Sequence, residues 1–543
     1  MNRERLAWLN LVLALAVITL MGGPVRAEPR QDHQPFEKGI SFSAWWSGEY
    51  SRPESDLALE ALAATGANWI SVVVTGYQQT PMSTTIDRVG VATPTDEDLN
   101  HAIRDAHQLG LKVMLKPHLD LPNENVTGIW RGYIGQDFTS ETQWAAWFAA
   151  YTDFILHYAR LAQAYGADQF CVGVELLGTT HRAADWRAVV GAVRSVYYGP
   201  IIYAALHGGE ETAITWWDAV DLIGVDAYYP LADEDWSPDQ PDLTVAELTA
   251  RWQQPINRLA TLAATFRKQV VLTEIGYRSH HGCTAHPWES WCASAVDLQE
   301  QANAYQAAFE SLYHQPWLAG IFWWTWLADP FESGACDDGY SPHLKLAEDV
   351  LRKWYGGTPR PEQAAKVADY EHAMDIYTDQ LAPGWQDWSW GATVNPAATG
   401  LVYSGVRSLS VRLEPWGALS LWHPAFASQE YAWLEFRVRR AAAEATSLTV
   451  FFEAADGTSL YRAPVNDCRH IAGGTIRADT WGLVRIPLSY LNRAGANLVR
   501  LNIQNASGED TASIWLDDIR LVGAREPSTH IWLPLIVNLS RQF

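Results

Sequence analysis

Between Lys38 and about Tyr355 the chain alternates short apolar segments with longer amphipathic ones. The apolar segments are near-continuous runs of β-forming residues, as expected for parallel strands that are covered on both faces. Eight β–α units in roughly 300 residues predict a (β/α)8 TIM barrel, in the α/β class. A doubly wound open sheet is the alternative, but we find no glycine-rich phosphate loop to support it. The eight predicted strands are Gly39–Trp45, Trp69–Thr75, Lys112–His118, Gln169–Leu176, Ile201–Leu206, Leu222–Tyr228, Val270–Tyr277 and Gly320–Trp326.

Two of these strands carry a glutamate near the C-terminal end, Glu175 in FCVGVEL and Glu274 in VVLTEIGY. TIM barrels place their active sites at the C-terminal ends of the strands, so strands four and seven would bring both carboxylates to one site. A buried carboxylate is costly unless it is paired or hydrogen-bonded. A structural salt bridge is the alternative for either residue alone, but it explains two such residues poorly. The pair is therefore a candidate catalytic site.

Six motifs of the same region are TPTDEDLNHAIRDAHQLGLKVMLKPHLD (93–120), WRGYI (130–134), FCVGVEL (170–176), LIGVDAYYPL (222–231), VVLTEIGYRS (270–279) and GIFWWTW (320–326). Taken together, they resemble the β-mannanases of glycoside hydrolase family 113, over roughly residues 38–355. The resemblance implies a retaining glycosidase with Glu175 as general acid/base and Glu274 as nucleophile. Most members of the wider clan have an asparagine before the acid/base, whereas this chain has Val174, which fits the narrower family.

Polar and aromatic residues at the same strand ends are candidates for substrate binding. Two basic residues of strand three could contact the sugar 2-hydroxyl, and either of two tyrosines could hydrogen-bond the nucleophile. Tryptophans could stack under the sugar or line the cleft, with core or rim packing as the alternative for each one. These candidates are Lys116, His118, Trp130, Tyr203, Asp226, Tyr228, Trp324 and Trp326.

The composition changes after Tyr355, which predicts a domain boundary. We expect a barrel domain over 28–355, a linker over 356–375 and an antiparallel β-sandwich over 376–523, where short alternating strands recur. The role of the tail at 524–543 stays open. The predicted sandwich strands are Leu409–Leu413, Tyr431–Val438, Ser447–Glu453, Gly482–Pro487, Asn497–Ile503 and Ser513–Leu521.

The opening and closing segments of the sandwich, 376–388 and 515–521, resemble jelly-roll carbohydrate-binding modules. By that resemblance alone, a structural calcium could lie at Asp379, Asp517 and Asp518, with a plain solvated edge as the alternative. The candidate sugar platforms, some of which must belong to the core, are Trp385, Trp388, Trp390 and Trp416.

The N-terminus has two arginines, an apolar run and small residues before Ala27, which predicts a signal peptide over 1–27 and a secreted protein. An uncleaved membrane anchor is the alternative, but about sixteen helical residues reach only ~24 Å, which is short of the ~30 Å hydrocarbon core of a bilayer.

The chain has five cysteines, an odd number, so they cannot all form disulfides with one another, and we expect Cys171 to be a free thiol. Cys283–Cys292 is the preferred disulfide, with Cys336 and Cys468 as other partners.

The formal net charge of −23 argues against a nucleic-acid partner, since phosphate binding needs Lys/Arg patches.

The function that the family resemblance implies is a secreted endo-β-1,4-mannanase that acts on mannan or glucomannan by double displacement. The alternatives are a β-glucanase, an exo-β-mannosidase or a non-catalytic carbohydrate-binding protein. We expect a polysaccharide substrate, a monomer, no membrane association after signal cleavage, and no required cofactor.

Overall fold

The computed structural model describes residues 35–122, 127–233, 237, 240–289, 295–330, 333–359 and 372–523, except 429, 432, 442–446, 468, 472–473, 479 and 493–494. Within these ranges, eight strands close into a barrel in sequence order, and every neighbouring pair runs parallel. The predicted barrel is therefore confirmed, with all eight strands. They are β1 Glu37–Ser43, β2 Trp69–Tyr77, β3 Lys112–Asp120, β4 Gln169–Val174, β5 Ile201–Leu206, β6 Leu222–Asp226, β7 Val270–Ile275 and β8 Leu318–Leu327.

Helices connect the barrel strands. Two consecutive helices lie between β6 and β7. The helix assignment is interrupted at Trp252, although the backbone of Trp252 stays in the right-handed helical region, and Pro255 occupies the first turn of the second helix, where a missing N–H is tolerated. The main helices are α1 Pro53–Ala63, α2 Asp96–Gln108, α3 Glu141–Tyr165, α4 Ala183–Arg194, α5 Val245–Arg251, α6 Gln253–Phe266, α7 Leu298–Leu312 and α8 Leu346–Tyr355. Short helical turns lie at Arg131–Tyr133, Glu210–Ala213 and Trp217–Ala219.

Inward-facing apolar side chains fill the barrel. Met114 of β3, Cys171 of β4, Ile202 of β5 and Phe322 of β8 form one buried cluster that fixes the strands against one another. The apolar runs of the sequence therefore face this interior on one side and the helices on the other, as the pattern predicts. The strand ends above the cluster are then free to carry polar groups.

The described residues form two compact units, the first with residues up to 328 together with 350–357, and the second with 329–349 and the residues from 358 onward. The second unit is an antiparallel β domain in which each predicted strand is present. The strands are β9 His372–Tyr377, β10 Gln386–Asp387, β11 Trp390–Ala398, β12 Ser408–Phe426, β13 Trp433–Arg440, β14 Leu448–Ala454, β15 Ala463–Pro464, β16 Gly482–Pro487, β17 Leu498–Asn505 and β18 Ile514–Gly523. Seven of them join in the order β15-β14-β17-β12-β18-β13-β16, while β9 pairs with β18, and β10 and β11 pair with β12.

The structure shows the bonding state of three cysteines, and one prediction about them is wrong. Cys283 is a free, buried thiol, so its predicted disulfide with Cys292 is wrong; Cys283 is instead enclosed in the loop after β7, beside Glu300. Cys171 is also a free, buried thiol, as predicted. Cys336 is disulfide-bonded.

Several expectations fall outside the described residues, namely the signal peptide at 1–27, most of the linker, the tail at 524–543, Cys292 and Cys468. Among the residues that the structure describes, no helix is both long and apolar enough to cross a membrane.

Candidate active site

Glu274 lies near the C-terminal end of β7, and donors hold both of its carboxylate oxygens. Lys116 Nζ of β3 is 2.5 Å from Oε1, and the Tyr228 hydroxyl donates to Oε2 at 2.6 Å. The Glu274 side chain is only 6% exposed. An ammonium and a phenol that donate to the two oxygens of one carboxylate fix its orientation. Glu274 therefore has the environment of a positioned nucleophile.

Glu175 follows directly after β4 and leaves the strand with a left-handed backbone, at φ +51°. A positive φ is uncommon for a residue with a side chain, and such strain often occurs at functional sites. Neighbouring hydrogen bonds stabilise this turn, because Glu175 N donates to Ala204 O at 2.8 Å and Leu176 N donates to the Tyr203 hydroxyl at 3.0 Å. The turn directs Glu175 over the end of the barrel rather than along the strand.

Burial raises the pKa of Glu175 well above its ordinary value, and the negative charges of Asp226 and Glu274 raise it further. The cations Arg131 and Lys116 act in the opposite direction without cancelling the shift. Glu175 is therefore a carboxyl group that keeps its proton at pH values where an exposed glutamate has lost it. That is the property required of a general acid.

Arg131 links the two halves of the site. Its Nη1 lies 3.6 Å from Glu175 Oε2 and 3.2 Å from His118 Nδ1, while its Nε donates to Asp120 Oδ1 at 2.7 Å. The loop that carries Arg131 is joined to the loop after Glu175, because Gly178 N donates to Gly132 O at 3.1 Å.

Gly178 is required at this junction. A Cβ at that position would lie 2.2 Å from Ile134 O, which is too close for any other residue without movement of the backbone. The glycine therefore allows the two loops, and with them Arg131 and Glu175, to approach each other.

Lys116 and Asp226 form the buried floor of the site, and both side chains are fully buried. Lys116 Nζ contacts Asp226 Oδ1 at 3.1 Å as well as Glu274, and the Thr273 hydroxyl donates to Asp226 Oδ1 at 2.7 Å. Burial and the charge of Glu274 raise the pKa of Asp226 to about 7. Burial alone would lower the pKa of Lys116, but the two carboxylates outweigh it and the pKa is raised. Lys116 therefore stays protonated and balances the negative charge of the site.

His118 and Trp324 form the wall beside Glu274. The His118 ring stacks on Trp324, with centroids 5.9 Å apart and planes 14° from parallel, and Trp45 also packs against this indole, with centroids 6.0 Å apart. His118 Nε2 lies 3.7 Å from Glu274 Oε1. Burial, together with the charges of Arg131 and Lys116, lowers the pKa of His118 well below its ordinary value, so the ring is neutral.

The contacts of three other predicted site residues are with neighbouring strands and loops. Tyr203 is fully buried, and its hydroxyl accepts from Leu176 N and donates to Glu210 at 2.7 Å, so it supports the turn at Glu175. Trp326 is fully buried and is paired with Phe42 between β8 and β1. Trp130 is half-buried and packs edge-on against Tyr133, next to Arg131 in the chain.

The aspartates considered for calcium accept hydrogen bonds from backbone amides. Asp379 Oδ1 accepts from Val406 N and Arg407 N at 2.6 and 2.7 Å, and Asp517 Oδ2 accepts from Tyr403 N at 2.9 Å. Asp379, Asp517 and Asp518 do not occur together in any group of converging metal ligands within the described ranges.

Asp120 and Arg131 belong to the site although sequence reasoning gave them no role at the glutamates. Arg131 lies eleven residues after Asp120, in a loop, and its contact with Glu175 depends on how two loops fold together. Their signal in the sequence was their position, because Asp120 ends strand three and Arg131 lies in the connection that follows it. That position indicates the correct end of the barrel but names no partner.

The arrangement pairs a protonated carboxyl with an oriented carboxylate at the C-terminal end of one barrel. A buried carboxyl group with a raised pKa, beside a carboxylate that two donors hold in place, is suited to acid/base and nucleophilic work on a glycosidic bond. The neutral imidazole and the indole beside them supply a hydrogen-bonding and an apolar surface for a sugar ring.

Comparison with known proteins agrees with this chemistry. The family model of Glycoside Hydrolase Family 113 matches residues 41–345. A solved β-mannanase of that family from Alicyclobacillus acidocaldarius, in complex with ManMIm, is 31% identical with a TM-score of 0.53, over 60% of this chain and 98% of its own. A complex of another β-1,4-mannanase of the family is 27% identical with the same TM-score, over 60% of this chain and 100% of its own. No curated protein matches the chain.

Proposed function

Because the chain belongs to Glycoside Hydrolase Family 113, and is thus a glycoside hydrolase, we propose that it is a secreted, retaining endo-β-1,4-mannanase. The observation that supports this proposal most strongly is the unequal environment of its two glutamates. Burial keeps Glu175 protonated, whereas Lys116 and Tyr228 hold Glu274 as an oriented carboxylate. Mannan is proposed as substrate because the similar solved structures are β-mannanases.

In the first step, a Glu274 oxygen attacks the anomeric carbon while Glu175 gives its proton to the leaving glycosidic oxygen. The bond to the leaving sugar breaks, and a covalent glycosyl-enzyme forms. In the second step, Glu175 takes a proton from a water molecule whose oxygen attacks the same carbon and expels Glu274. The product then has the anomeric configuration of the substrate.

Other residues of the site support these steps. We assign the contact with the sugar 2-hydroxyl to His118 rather than Lys116, because Lys116 Nζ already contacts Glu274, Asp226 and the Thr273 carbonyl. His118 Nε2 is buried and has no hydrogen-bond partner among the described residues. Trp324 is proposed as the apolar platform under the sugar bound beside Glu274.

Substrate choice and mode of attack are tested by product analysis. The chain is incubated with mannan, glucomannan and cellulose oligomers, and the products are separated by size. Mixed short manno-oligosaccharides are expected from an endo-acting mannanase. Exclusive release of mannose would instead indicate an exo-β-mannosidase, and cleavage restricted to glucose-containing oligomers would indicate a β-glucanase.

The two glutamates are tested by comparing their alanine variants, with Glu141→Ala on the protein surface as the control. Glu274→Ala should stall on every substrate. Glu175→Ala should still react with an aryl mannoside that has a good leaving group, and azide should accelerate its turnover with retained configuration, because the proton is needed only for poor leaving groups. Near-normal cleavage of mannan by Glu175→Ala would show that this carboxyl is structural. A protein that binds mannan without cleaving any of these substrates would be a non-catalytic binder.

Secretion and carbohydrate binding by the second unit are also part of the proposal. Secretion rests on the N-terminal sequence and is tested by N-terminal sequencing of protein recovered from the culture medium, which should begin at Glu28. Recovery of the protein with Met1 in the cell fraction would contradict it.

A further inference from the structure

Four side chains that can bind a metal ion converge beside the loop that follows β7. One ligand atom of each residue lies within 4.8 Å of the ligand atoms of the other three. The four residues, which we call the loop cluster, are Asp242, His281, Asp297 and Glu300. The proposed mechanism uses none of them.

Backbone hydrogen bonds hold two members of the loop cluster side by side. His281 N donates to Ala295 O, and Asp297 N donates to Ser279 O, each at 2.9 Å. These bonds pair the segment after β7 with the segment before α7 in an antiparallel arrangement. The main chain therefore keeps His281 and Asp297 close to each other.

Glu300 is oriented by the loop that it faces. It lies in the first turn of α7, and its side chain is only 2% exposed. Its Oε2 accepts from Gly282 N at 2.6 Å, and its Oε1 accepts from the Thr284 hydroxyl at 2.8 Å. His281 Nδ1 lies 3.7 Å from Oε2. Because a carboxylate oxygen has two lone pairs, Oε2 can accept this amide and still coordinate a cation.

Asp242 has a buried carboxylate oxygen without a hydrogen bond. Its Oδ1 has no hydrogen-bond partner among the described residues. His281 Nδ1 lies only 2.8 Å away, so the angle between the two groups, and not their distance, prevents a hydrogen bond. Buried polar atoms nearly always have a partner, and a cation bound by both residues would provide one. The Asp242 and His281 side chains are 28% and 22% exposed, so an ion can enter the cluster from solvent.

The charges of the loop cluster also favour a cation. Three of its four members are carboxylates, and the negative charge of Asp242 raises the pKa of Glu300. Like charges this close repel each other, and a divalent cation between them would remove the repulsion.

A second group of converging ligands, Asp56, His101 and Asp105, shows the contrast. His101 Nε2 is hydrogen-bonded to Asp56 Oδ1 at 2.7 Å, and Arg104 Nε donates to Asp105 Oδ1 at 2.8 Å. Protein atoms thus satisfy and neutralise that group, which serves as an internal control.

The ligand types of the loop cluster indicate the class of metal. Carboxylate oxygens together with an imidazole nitrogen suit Zn²⁺ and related transition metals, whereas Ca²⁺ and Mg²⁺ prefer sites made of oxygen alone. Ligands about 2.1 Å from a tetrahedral ion are ~3.4 Å from one another. The distances from His281 Nδ1 to Asp242 and Glu300, 2.8 and 3.7 Å, lie on either side of that value.

We propose that the loop cluster binds one divalent transition-metal cation, with Zn²⁺ as the ion to test first. The ion joins the segment before α5, the loop after β7 and the start of α7. It thereby stabilises the loop that follows the strand of Glu274, and it takes no part in the chemistry. The site does not depend on the proposed function.

Metal binding is measured on the full-length chain without a histidine tag, after treatment with a chelator and removal of the chelator. Zn²⁺, Mn²⁺ and Ca²⁺ are added separately. Isothermal titration calorimetry gives the stoichiometry and the Kd, and differential scanning calorimetry gives the Tm. The variants are His281→Ala and Asp242→Asn, and His101→Ala is the matched control, because His101 also lies between two carboxylates.

We expect one Zn²⁺ per chain with a Kd in the micromolar range or tighter, and weaker binding of Mn²⁺ and Ca²⁺. Zn²⁺ at roughly 100 times its Kd should raise the Tm by about 5 °C or more. Both cluster variants should raise the Kd at least about tenfold and lose this rise in Tm, whereas His101→Ala should keep both properties of the parent chain.

No zinc binding by the parent chain, an unchanged Kd in both cluster variants, or an equal loss in His101→Ala would overturn the proposal. Tighter binding of Ca²⁺ than of Zn²⁺ would overturn the class of metal. In the metal-free protein, Asp242→Asn removes a repelling charge and should leave the Tm unchanged or higher. A lower Tm in this variant, with no effect of zinc on the parent chain, would show that Asp242 and His281 form an ion pair instead.

Discussion

Removal of the Arg131 charge should move the pH profile of the enzyme in a calculable direction. The Arg131 guanidinium lies 3.6 Å from Glu175 Oε2, and both side chains are largely buried. An opposite charge at this range lowers a carboxyl pKa by about 1–3 units, which corresponds to about 1.4–4 kcal/mol. Arg131→Met removes a charge that lowers the pKa of Glu175 and should therefore raise that pKa further. Because Glu175 must be protonated to act as the acid, the alkaline limb of kcat/KM should move to higher pH.

Asp120 provides the opposite perturbation. It accepts from Arg131 Nε at 2.7 Å and offsets part of the arginine charge. Asp120→Asn should leave more of that charge acting on Glu175, so the alkaline limb should move to lower pH. The assay is kcat/KM for a soluble manno-oligosaccharide from about pH 4 to 9, a range that spans the ordinary and raised values of a carboxyl group.

Arg182→Met serves as the control, because Arg182 forms its salt bridge with Glu141 on the protein surface. Its pH profile should match that of the parent chain. Shifts in the same direction for Arg131→Met and Asp120→Asn, or no shift in either variant, would refute the electrostatic role of Arg131. Unchanged far-UV circular dichroism in both variants would exclude unfolding as the cause.

Three further predictions concern single side chains. Tyr228→Phe removes the 2.6 Å hydrogen bond to Glu274. Since a hydrogen bond to a charged group contributes about 1.5–3 kcal/mol, kcat should fall roughly 10- to 100-fold. A change within twofold would contradict the role of Tyr228 in holding Glu274. Burial raises the pKa of Glu210 to about 8, so the folded state favours its neutral form. The free energy of unfolding should therefore fall as pH rises from about 4.5 to 8, by up to ~1.4 kcal/mol per pH unit. In urea unfolding, the free energy of unfolding of Glu210→Gln should depend less steeply on pH than that of the parent chain, and an unchanged dependence would refute this. Trp324→Ala should raise KM for short manno-oligosaccharides at least tenfold, whereas equal loss on an aryl mannoside through kcat alone would argue for a packing role.

The barrel could be predicted from the sequence because each strand is a nearly uninterrupted apolar run. Burial on both faces produces this pattern independently of the connecting loops. The predicted ends of strands such as β2 and β7 therefore agree with the observed ends to within a few residues. The division into two helices at Trp252 could not be predicted, because an amphipathic pattern continues across it. Periodicity indicates the buried face of a helix and does not indicate where its hydrogen bonds are interrupted.

The two glutamates could be predicted because strand position alone determines where they lie. The contacts that tune them could not be predicted, since Arg131 reaches Glu175 only after two loops meet at Gly178. Tyr228 and Tyr203 were equivalent in the sequence. The structure places the Tyr228 hydroxyl on Glu274 and the Tyr203 hydroxyl on Leu176 and Glu210, a difference that depends on side-chain direction.

The most direct test of the proposed mechanism is covalent trapping of the nucleophile. A 2-deoxy-2-fluoro-β-manno-oligosaccharyl fluoride forms the glycosyl-enzyme through its good leaving group, and the fluorine at C2 slows the breakdown of this intermediate. Mass spectrometry of the digested protein should find one sugar label, on the peptide that contains Glu274. Labelling of Glu175, or complete turnover without any label and with an inverted product, would contradict the assignment of Glu274 as nucleophile.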